Sequence, residues 1–270
     1  MSINKVVIPI AGLGTRFLPV TKVIPKEMLP INGKPIIHIL VEEAANSGIE
    51  EVIFVINPEK KRIIKEYFSA KNKTNEKIFK KGKQESLHEL DHLIKSVKIR
   101  YVVQREQLGD GHAIIQAKKY IGREPFAVMF GDDIVKTNGT PALAQLIEVF
   151  KKTGSSVIAI QEIDKSQSIN YGVPKTNRTI TENIFGITDL VEKPIPSKAP
   201  SNFGIIGKYI ITEKAFNSLK KLKSGSLGEI RLIDGLKANL KEENLYGALL
   251  KGKRYDTGTI ENYQKAVCEF

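Results

Sequence analysis

KVVIPI (residues 5–10) runs straight into AGLGTRFLPVTKVIPKEMLPI (residues 11–31). A short β-branched run that breaks on a glycine turn reads as a strand feeding a loop. In an open α/β sheet, ligands bind outside the carboxyl ends of the strands, which is where this loop falls. Gly12 and Gly14 allow close backbone approach, Thr15 adds a hydroxyl, and Arg16, Lys22 and Lys26 supply positive charge. A chain of phosphates is the natural ligand. The loop is neither of two familiar phosphate motifs: Phe17 stands where a dinucleotide fingerprint needs its third glycine, and the Gly-Lys-Ser/Thr of a P-loop is absent.

Outward from this loop, strand-like and helix-like patterns alternate. A helix is expected over PIIHILVEEAANSG, a strand over EVIFVI, a helix through EKKRIIKEYF, and a strand over IRYVVQ. GHAIIQAKKYIG follows as a helix, FAVMFGDD as a strand, PALAQLIEVFKKTG as a helix and SVIAIQEI as a strand. Strands separated by helices imply an α/β fold on a parallel sheet. Gly48 and Gly154 fall where helix C-caps are expected. After about Ser166 the rhythm shortens to extended pieces, ITDLVEK and GIIGKYII, then helical patterns at EKAFNSLKKL and EIRLIDGLKANL. With no repeat or low-complexity linker, residues 1–270 are read as one domain, in halves of about 1–150 and 151–270. NKTNEKIFKKGKQ is the expected loop.

At 270 residues and 41% hydrophobic, the chain buries a sizeable core, which excludes disordered and fibrous classes. No signal-peptide layout opens it and no apolar run reaches the roughly 18 residues that span a bilayer, so a cytoplasmic location without membrane partners is expected. Cys268 is the only cysteine, which excludes a disulfide framework and a Cys-rich metal site. The net charge of +12 favours anionic ligands without choosing among them. Aromatics are few among the lysines between Lys60 and Arg100, so no nucleic-acid partner is expected; single-strand binding would want stacking platforms. His88-Glu89-Leu90-Asp91-His92 matches His-Glu-x-x-His, which on a helix presents two histidines to zinc. Leu87, Leu90, Ile94 and Val97 form an ordinary apolar stripe through the same stretch with no third ligand nearby, so a surface helix is expected.

The block from Ala11 to Ile31 closely resembles the signature of sugar-nucleotide pyrophosphorylases, in the Pro-Lys-Glu-Met-Leu-Pro form typical of glucose-1-phosphate uridylyltransferases. The resemblance continues in order through VVQREQLGDGHAI, FGDDI, TGSSVIAIQEI, NYGV, LVEKP, SNFGIIGKYII and YDTGT. It implies a Rossmann-like open, mostly parallel mixed sheet flanked by helices, with a small sugar-binding β subdomain. The implied reaction joins UTP to glucose 1-phosphate, giving UDP-glucose and pyrophosphate, with Mg²⁺ as cofactor. The nucleobase would be held by the backbone of Ala11 and Gly12 and by Gln104, whose amide both donates and accepts; Gly109 would leave room for the base. Arg16 and Lys26 would grip the triphosphate. An Asp pair closing a strand suits Mg²⁺ held with phosphates: the resemblance makes Asp132 and Asp256 the ligands and Asp133 a support. Gly172, Glu192 and Lys193 would hold the sugar phosphate.

Thymidylyl-transferring relatives carry Gln where this chain has Glu27, so Glu27 is expected to accept from the ribose 2′-hydroxyl that dTTP lacks. Two departures stand out: the family form of LGDGHA differs slightly, and the chain ends sooner after YDTGT than is typical. A homo-oligomer is implied, with dimer or tetramer open, and glucose is favoured over galactose by overall similarity alone. A regulator that binds sugar nucleotides without turning them over remains the alternative of a different class.

Overall fold

A computed structural model describes residues 2–69, 85–223 and 228–270; the expected loop NKTNEKIFKKGKQ lies outside the described residues. The first strands and helices follow the sequence pattern closely. Strand β1 (Lys5–Pro9), helix α1 (Ile36–Asn46), β2 (Glu51–Ile56), α2 (Lys61–Tyr67), α3 (Glu85–Ser96), β3 (Lys98–Val103), α4 (Asp110–Gln116), α5 (Lys118–Ile121) and β4 (Phe126–Met129) form the first half. Then come β5 (Asp133–Lys136), α6 (Ala142–Thr153), β6 (Ser156–Glu162), β7 (Gly172–Thr181), β8 (Ile184–Glu192), β9 (Phe203–Ile211), α7 (Glu213–Lys221), α8 (Leu232–Asn239), β10 (Leu245–Leu249), β11 (Lys253–Asp256) and α9 (Ile260–Glu269).

Nine strands join one sheet in the order β3-β2-β1-β4-β9-β6-β10-β8-β7. All run one way except β8 and β9, which pair antiparallel with their neighbours. The expected β subdomain is the β7–β8 ribbon, hydrogen-bonded to the rest of the sheet through β10.

The central strands carry apolar residues on both faces because both faces are covered. Val6 and Ile8 of β1 pack into one core layer and Val7 into the other; Val52, Phe54 and Ile56 of β2 divide from Ile53 and Val55 in the same way. Each such side chain contributes about 1.5–3 kcal/mol on burial. Helix α6 lays Leu143, Leu146, Ile147 and Phe150 on the first layer and stops at Gly154, whose φ of 66° is the left-handed cap expected there. Gly48, at φ 83°, follows the end of α1 in the same manner.

The sheet order reverses direction between β1 and β4, and this is the topological switch point at which α/β sheets bind ligands. The glycine loop leaves β1 there and Gly131–Asp132 leaves β4 beside it. The strand expected over FAVMFGDD therefore does not run through: β4 ends at Met129 and Asp133 opens β5. The turn is enforced by contacts distant in sequence. Phe130 N donates to the Gly207 carbonyl at 2.7 Å, and a Cβ at Gly131 would stand 2.5 Å from Ile10 Cγ2. The expected helix 111–122 is split at Ala117, and α8 begins only at Leu232. Helix α9 and strands β10 and β11 carried no signal that was read from the sequence.

Candidate active site

Two cavities adjoin at the switch point. The first, about 380 Å³, is lined by Ala11, Gly12, Lys26, Glu27, Gln104 and Gly109 among others. The second, about 300 Å³, is lined by Arg16, Gly172, Glu192, Lys193 and Asp256. Asp110, Phe130 and Asp132 line both and form the partition. The residues expected to hold nucleotide and sugar phosphate are thus sorted into neighbouring chambers, with Arg16 on the sugar side.

Gly14 and Thr15 line neither cavity. Gly14 adopts φ 68° and ψ 32°, and its carbonyl accepts from Thr21 Oγ1 at 2.8 Å, so its part is to turn the chain. The loop ahead of it is held from behind. The Ala11 carbonyl accepts from Asn57 Nδ2 and Gln107 Nε2, both at 3.1 Å.

Lys26 and Glu27 are neighbours with opposite fates. Lys26 Nζ faces the cavity and donates to Asp132 Oδ2 at 2.8 Å. Burial works against both charges, yet each holds the other: the Lys26 pKa is raised chiefly by Asp132, and Lys26 keeps the Asp132 carboxyl below the usual carboxylate range. Glu27 turns inward and is 1% exposed. Both its oxygens accept from Lys60 Nζ, at 3.2 and 2.9 Å, and the same ammonium donates to the Ile10 carbonyl at 3.0 Å. Its carboxylate also borders the cavity, and an ionised carboxylate offers about four acceptor sites, so the Lys60 contacts anchor Glu27 without using up its capacity to accept. Lys60 itself went unread, because one lysine in a lysine-rich helix carries no local mark.

Gly109 lines the same cavity, and the fold itself requires a glycine there. Its φ is 96° and a Cβ there would come within 2.5 Å of the Ile230 carbonyl, so the missing side chain makes room for the protein's own backbone. Its carbonyl accepts from Gln104 Nε2 at 3.2 Å.

Asp256 is brought to the partition by a two-stranded ladder in which β11 pairs antiparallel with β5, Asp256 opposite Asp133. Thr257 N and Oγ1 both donate to the Asp132 carbonyl, at 2.7 and 3.1 Å. The carboxylates of Asp132 and Asp256 converge: a Cβ at Gly258 would lie 2.9 Å from Asp256 Oδ1, 3.4 Å from Asp132 Oδ2 and 3.6 Å from Arg16 Nη1. Only a glycine leaves that point free. Two hard oxygen donors with an open side suit Mg²⁺ completed by substrate phosphates, and among the described residues no cluster of three or more His, Cys, Asp or Glu offers a self-sufficient cage. Asp133 is engaged within the protein: it pairs with Arg254 Nε and accepts from Gly207 N at 2.8 Å. Arg254 also donates to Tyr171 Oη at 2.9 Å, and its guanidinium lies over the Tyr171 ring, 5.1 Å from the centroid.

On the sugar side, β7 and β8 place Gly172 directly opposite Glu192. A Cβ at Gly172 would meet Ile233 at 2.8 Å and Glu192 Oε2 at 3.3 Å. Lys193 has φ 47°, one of two non-glycine residues in the left-handed region among those described, and its N–H donates to the Tyr171 carbonyl at 3.0 Å. Strain of that kind concentrates where a side chain must be aimed. Asp110, unread from the sequence, accepts from Leu232 N at 2.8 Å, and burial pushes its pKa up to about 6.

Comparison with known proteins identifies the family. The nucleotidyl transferase family matches residues 5–270. UTP–glucose-1-phosphate uridylyltransferase 2 of Staphylococcus saprophyticus is 41% identical over 268 residues, covering 99% of this chain and 92% of the relative. The chain belongs to the nucleotidyl transferase family. A further relative, a UTP–glucose-1-phosphate uridylyltransferase of Bacillus subtilis, is 42% identical over 267 residues, 99% of this chain and 89% of that protein. Among solved structures, a UDP-glucose pyrophosphorylase complexed with UDP-glucose superposes at a TM-score of 0.90 with 37% identity, covering 98% of this chain and 97% of the other. A UTP-bound enzyme from Acinetobacter baumannii superposes at 0.91 with 30% identity over 98% and 92% of the two chains.

In this nucleotidyl transferase the His88–His92 segment lies on α3 with both histidines exposed. Glu89 pairs with Lys34 at 3.6 Å, while Leu90 and Val97 face the core. It is the surface helix the sequence suggested. No helix among the described residues is long and apolar enough to cross a membrane.

Proposed function

We propose that this nucleotidyl transferase moves a uridylyl group from UTP to glucose 1-phosphate, releasing pyrophosphate and UDP-glucose. The observation that carries the proposal is the pair of cavities sharing Asp132, one floored by the glycine loop and Gln104 and the other walled by Gly172, Glu192 and Lys193. A phosphate oxygen of the sugar 1-phosphate attacks the α-phosphorus in line. An O–P bond forms on one side as the bond to the bridging α–β oxygen breaks on the other, and that oxygen leaves with pyrophosphate.

The nucleophile is already an anion, so no proton has to be removed and no covalent enzyme intermediate is required. The work lies in orienting two polyanions that repel each other and in neutralising charge as it shifts. Lys26 and Arg16 flank the partition and hold the triphosphate; Lys193 binds the sugar phosphate, and Glu192 accepts from sugar hydroxyls. Asp132 and Asp256 would hold Mg²⁺, which, bound with the phosphates, supplies further charge neutralisation. The residues before about 150 supply most of the nucleotide side, and those after it supply most of the sugar side and complete the metal pair through Asp256.

Pyrophosphate release with Mg²⁺ and glucose 1-phosphate, run in parallel with UTP, dTTP, CTP, ATP and GTP, tests the proposal. Release with UTP is the expected outcome. Release with another nucleotide alone would overturn the base assignment, and binding of UDP-glucose without any turnover would favour a regulatory protein. Galactose 1-phosphate in place of glucose 1-phosphate tests the sugar assignment in the same assay.

A further inference from the structure

Gln104 is 2% exposed, lines the nucleotide-side cavity, and has one end of its amide committed. Its Nε2 donates to the Gly109 carbonyl at 3.2 Å and lies 2.9 Å from His112 Nδ1. A carbonyl oxygen only accepts, so the contact with Gly109 requires the amide nitrogen, not its oxygen, on that side. The second amide hydrogen then points at His112 Nδ1, which has to offer a lone pair. A neutral imidazole has one donor and one acceptor nitrogen, so the ring proton sits on Nε2; the Gln116 Nε2 that lies 2.9 Å from it accepts no hydrogen bond, so the Gln116 amide has to turn its oxygen to that proton, giving up a 3.5 Å contact with the His112 carbonyl. His112 does not line either cavity. It stands behind Gln104 on α4, its own N–H bonded to the Ile230 carbonyl at 3.2 Å.

We infer that His112 is a positioning residue for nucleobase choice: by accepting one hydrogen of Gln104 Nε2 it leaves Oε1 alone to meet the base. Among the described residues no donor engages that oxygen. Gln104, expected from the sequence to donate and accept, thereby becomes an acceptor only. Uracil offers a donor at N3 and satisfies it. Cytosine offers a lone pair at N3, opposed to Oε1, and has to slide by one ring position to present its 4-amino group. A site that leaves a buried polar group facing the wrong partner rejects the ligand more strongly than one that loses apolar contact. The inference rests on the reading of the chain as a uridylyl transferase and adds to it the residue that keeps CTP out.

Steady-state turnover of UTP and of CTP with saturating glucose 1-phosphate tests it in the unaltered protein and in His112→Leu, His112→Ala and His112→Asn. Leucine and alanine remove the acceptor, the second without added bulk should leucine disturb the packing of α4. Asparagine returns an oxygen near the position of Nδ1. In the first two variants the UTP-over-CTP ratio of kcat/KM falls about tenfold, the KM for glucose 1-phosphate stays where it was, and His112→Asn restores the ratio. An unchanged ratio in both variants overturns the inference while leaving uridylyl transfer intact, as does equal use of UTP and CTP by the unaltered protein. A KM for the sugar that rises in step with the loss also overturns it, since His112 would then be supporting the whole site. Failure of the unaltered protein to use UTP overturns the underlying reading, and the inference falls with it.

Discussion

The nucleotide-side and sugar-side cavities meet at Asp132, yet they are assembled in contrasting ways. The first draws Ala11, Gly12, Lys26 and Glu27 from one continuous stretch and fastens that stretch to the sheet with Lys60, Asn57 and Gln107. The second has no such stretch. Tyr171 and Gly172, Glu192 and Lys193, Arg231 to Ile233, and Arg254 and Asp256 reach it from four separate parts of the chain, joined by the Arg254–Asp133 pair and the β5–β11 ladder. A site floored by one segment, with Gln104 to Ala113 and Phe130 to Asp132 as its walls, depends on what lies underneath that segment. A site gathered from several depends on the links between them.

The strongest way to break this comparison is at the floor of the nucleotide side. Lys60→Met leaves the buried Glu27 carboxylate without its cation, and a loss of about 3–5 kcal/mol in urea unfolding is expected. Lys60→Met combined with Glu27→Leu recovers most of it; a neutral single substitution would show that the floor is held some other way. In the same series Glu27→Gln tests the ribose contact: the UTP-over-dTTP preference is expected to weaken, and an unchanged ratio would limit Glu27 to its pairing with Lys60.

Next in size is the sugar side, where Lys193→Ala lowers kcat/KM for glucose 1-phosphate about 10²–10³-fold. Equilibrium binding of UTP is expected to stay within about twofold, because Lys193 lies in the other chamber; a parallel loss of UTP affinity would mean that the two cavities act as one. Gly109→Ala comes third. A Cβ at φ 96° and 2.5 Å from the Ile230 carbonyl forces the backbone apart, at about 2–3 kcal/mol of stability by denaturant titration.

The smallest effect concerns the partition. Asp110 has its pKa raised from 3.8 to about 6, mainly by burial. A carboxyl raised in the folded state favours folding while protonated, so stability falls as pH rises through the window from about 4 to about 6. With cavity solvent reducing the cost, the fall is about 1–2 kcal/mol, and Asp110→Asn flattens it. Unfolding curves at pH 4, 5, 6 and 7 decide; an identical slope in both proteins sets the burial of Asp110 aside.

The same contrast explains what was legible beforehand. Alternating strand and helix patterns carried most elements of the first half, because a strand buried on both faces and an amphipathic helix each announce themselves locally. The β5–β11 ladder, α9 and the turn at Gly131–Asp132 did not, since their partners lie far along the chain. Site residues followed suit. Lys26 and Glu27 were readable as cavity residues beside a glycine loop; the anchoring of Glu27 was not, because nothing between residues 11 and 31 reveals that Lys60 waits beneath it. At Gly109 the backbone that crowds a side chain belongs to Ile230, a contact far along the chain that no local pattern reveals. Arg254, two positions before Asp256, carried a weak signal in that proximity, while Asp110 carried none.

By itself the sequence determined the chemistry on offer: a glycine turn flanked by cations at a strand end, carboxylates in two distant blocks, and a Glu-Lys pair, in an order shared with nucleotidyl transferases. Tertiary structure decided which of those groups face a ligand and which are consumed within the protein. Lys26 and Asp132 border the open cavity, Glu27 is anchored by Lys60, and the Gln104 amide is turned by Gly109 and His112. The physical reason is that a side chain's donors and acceptors are finite. A residue's identity sets how many it has, and only the neighbours brought by folding settle how many remain for a substrate.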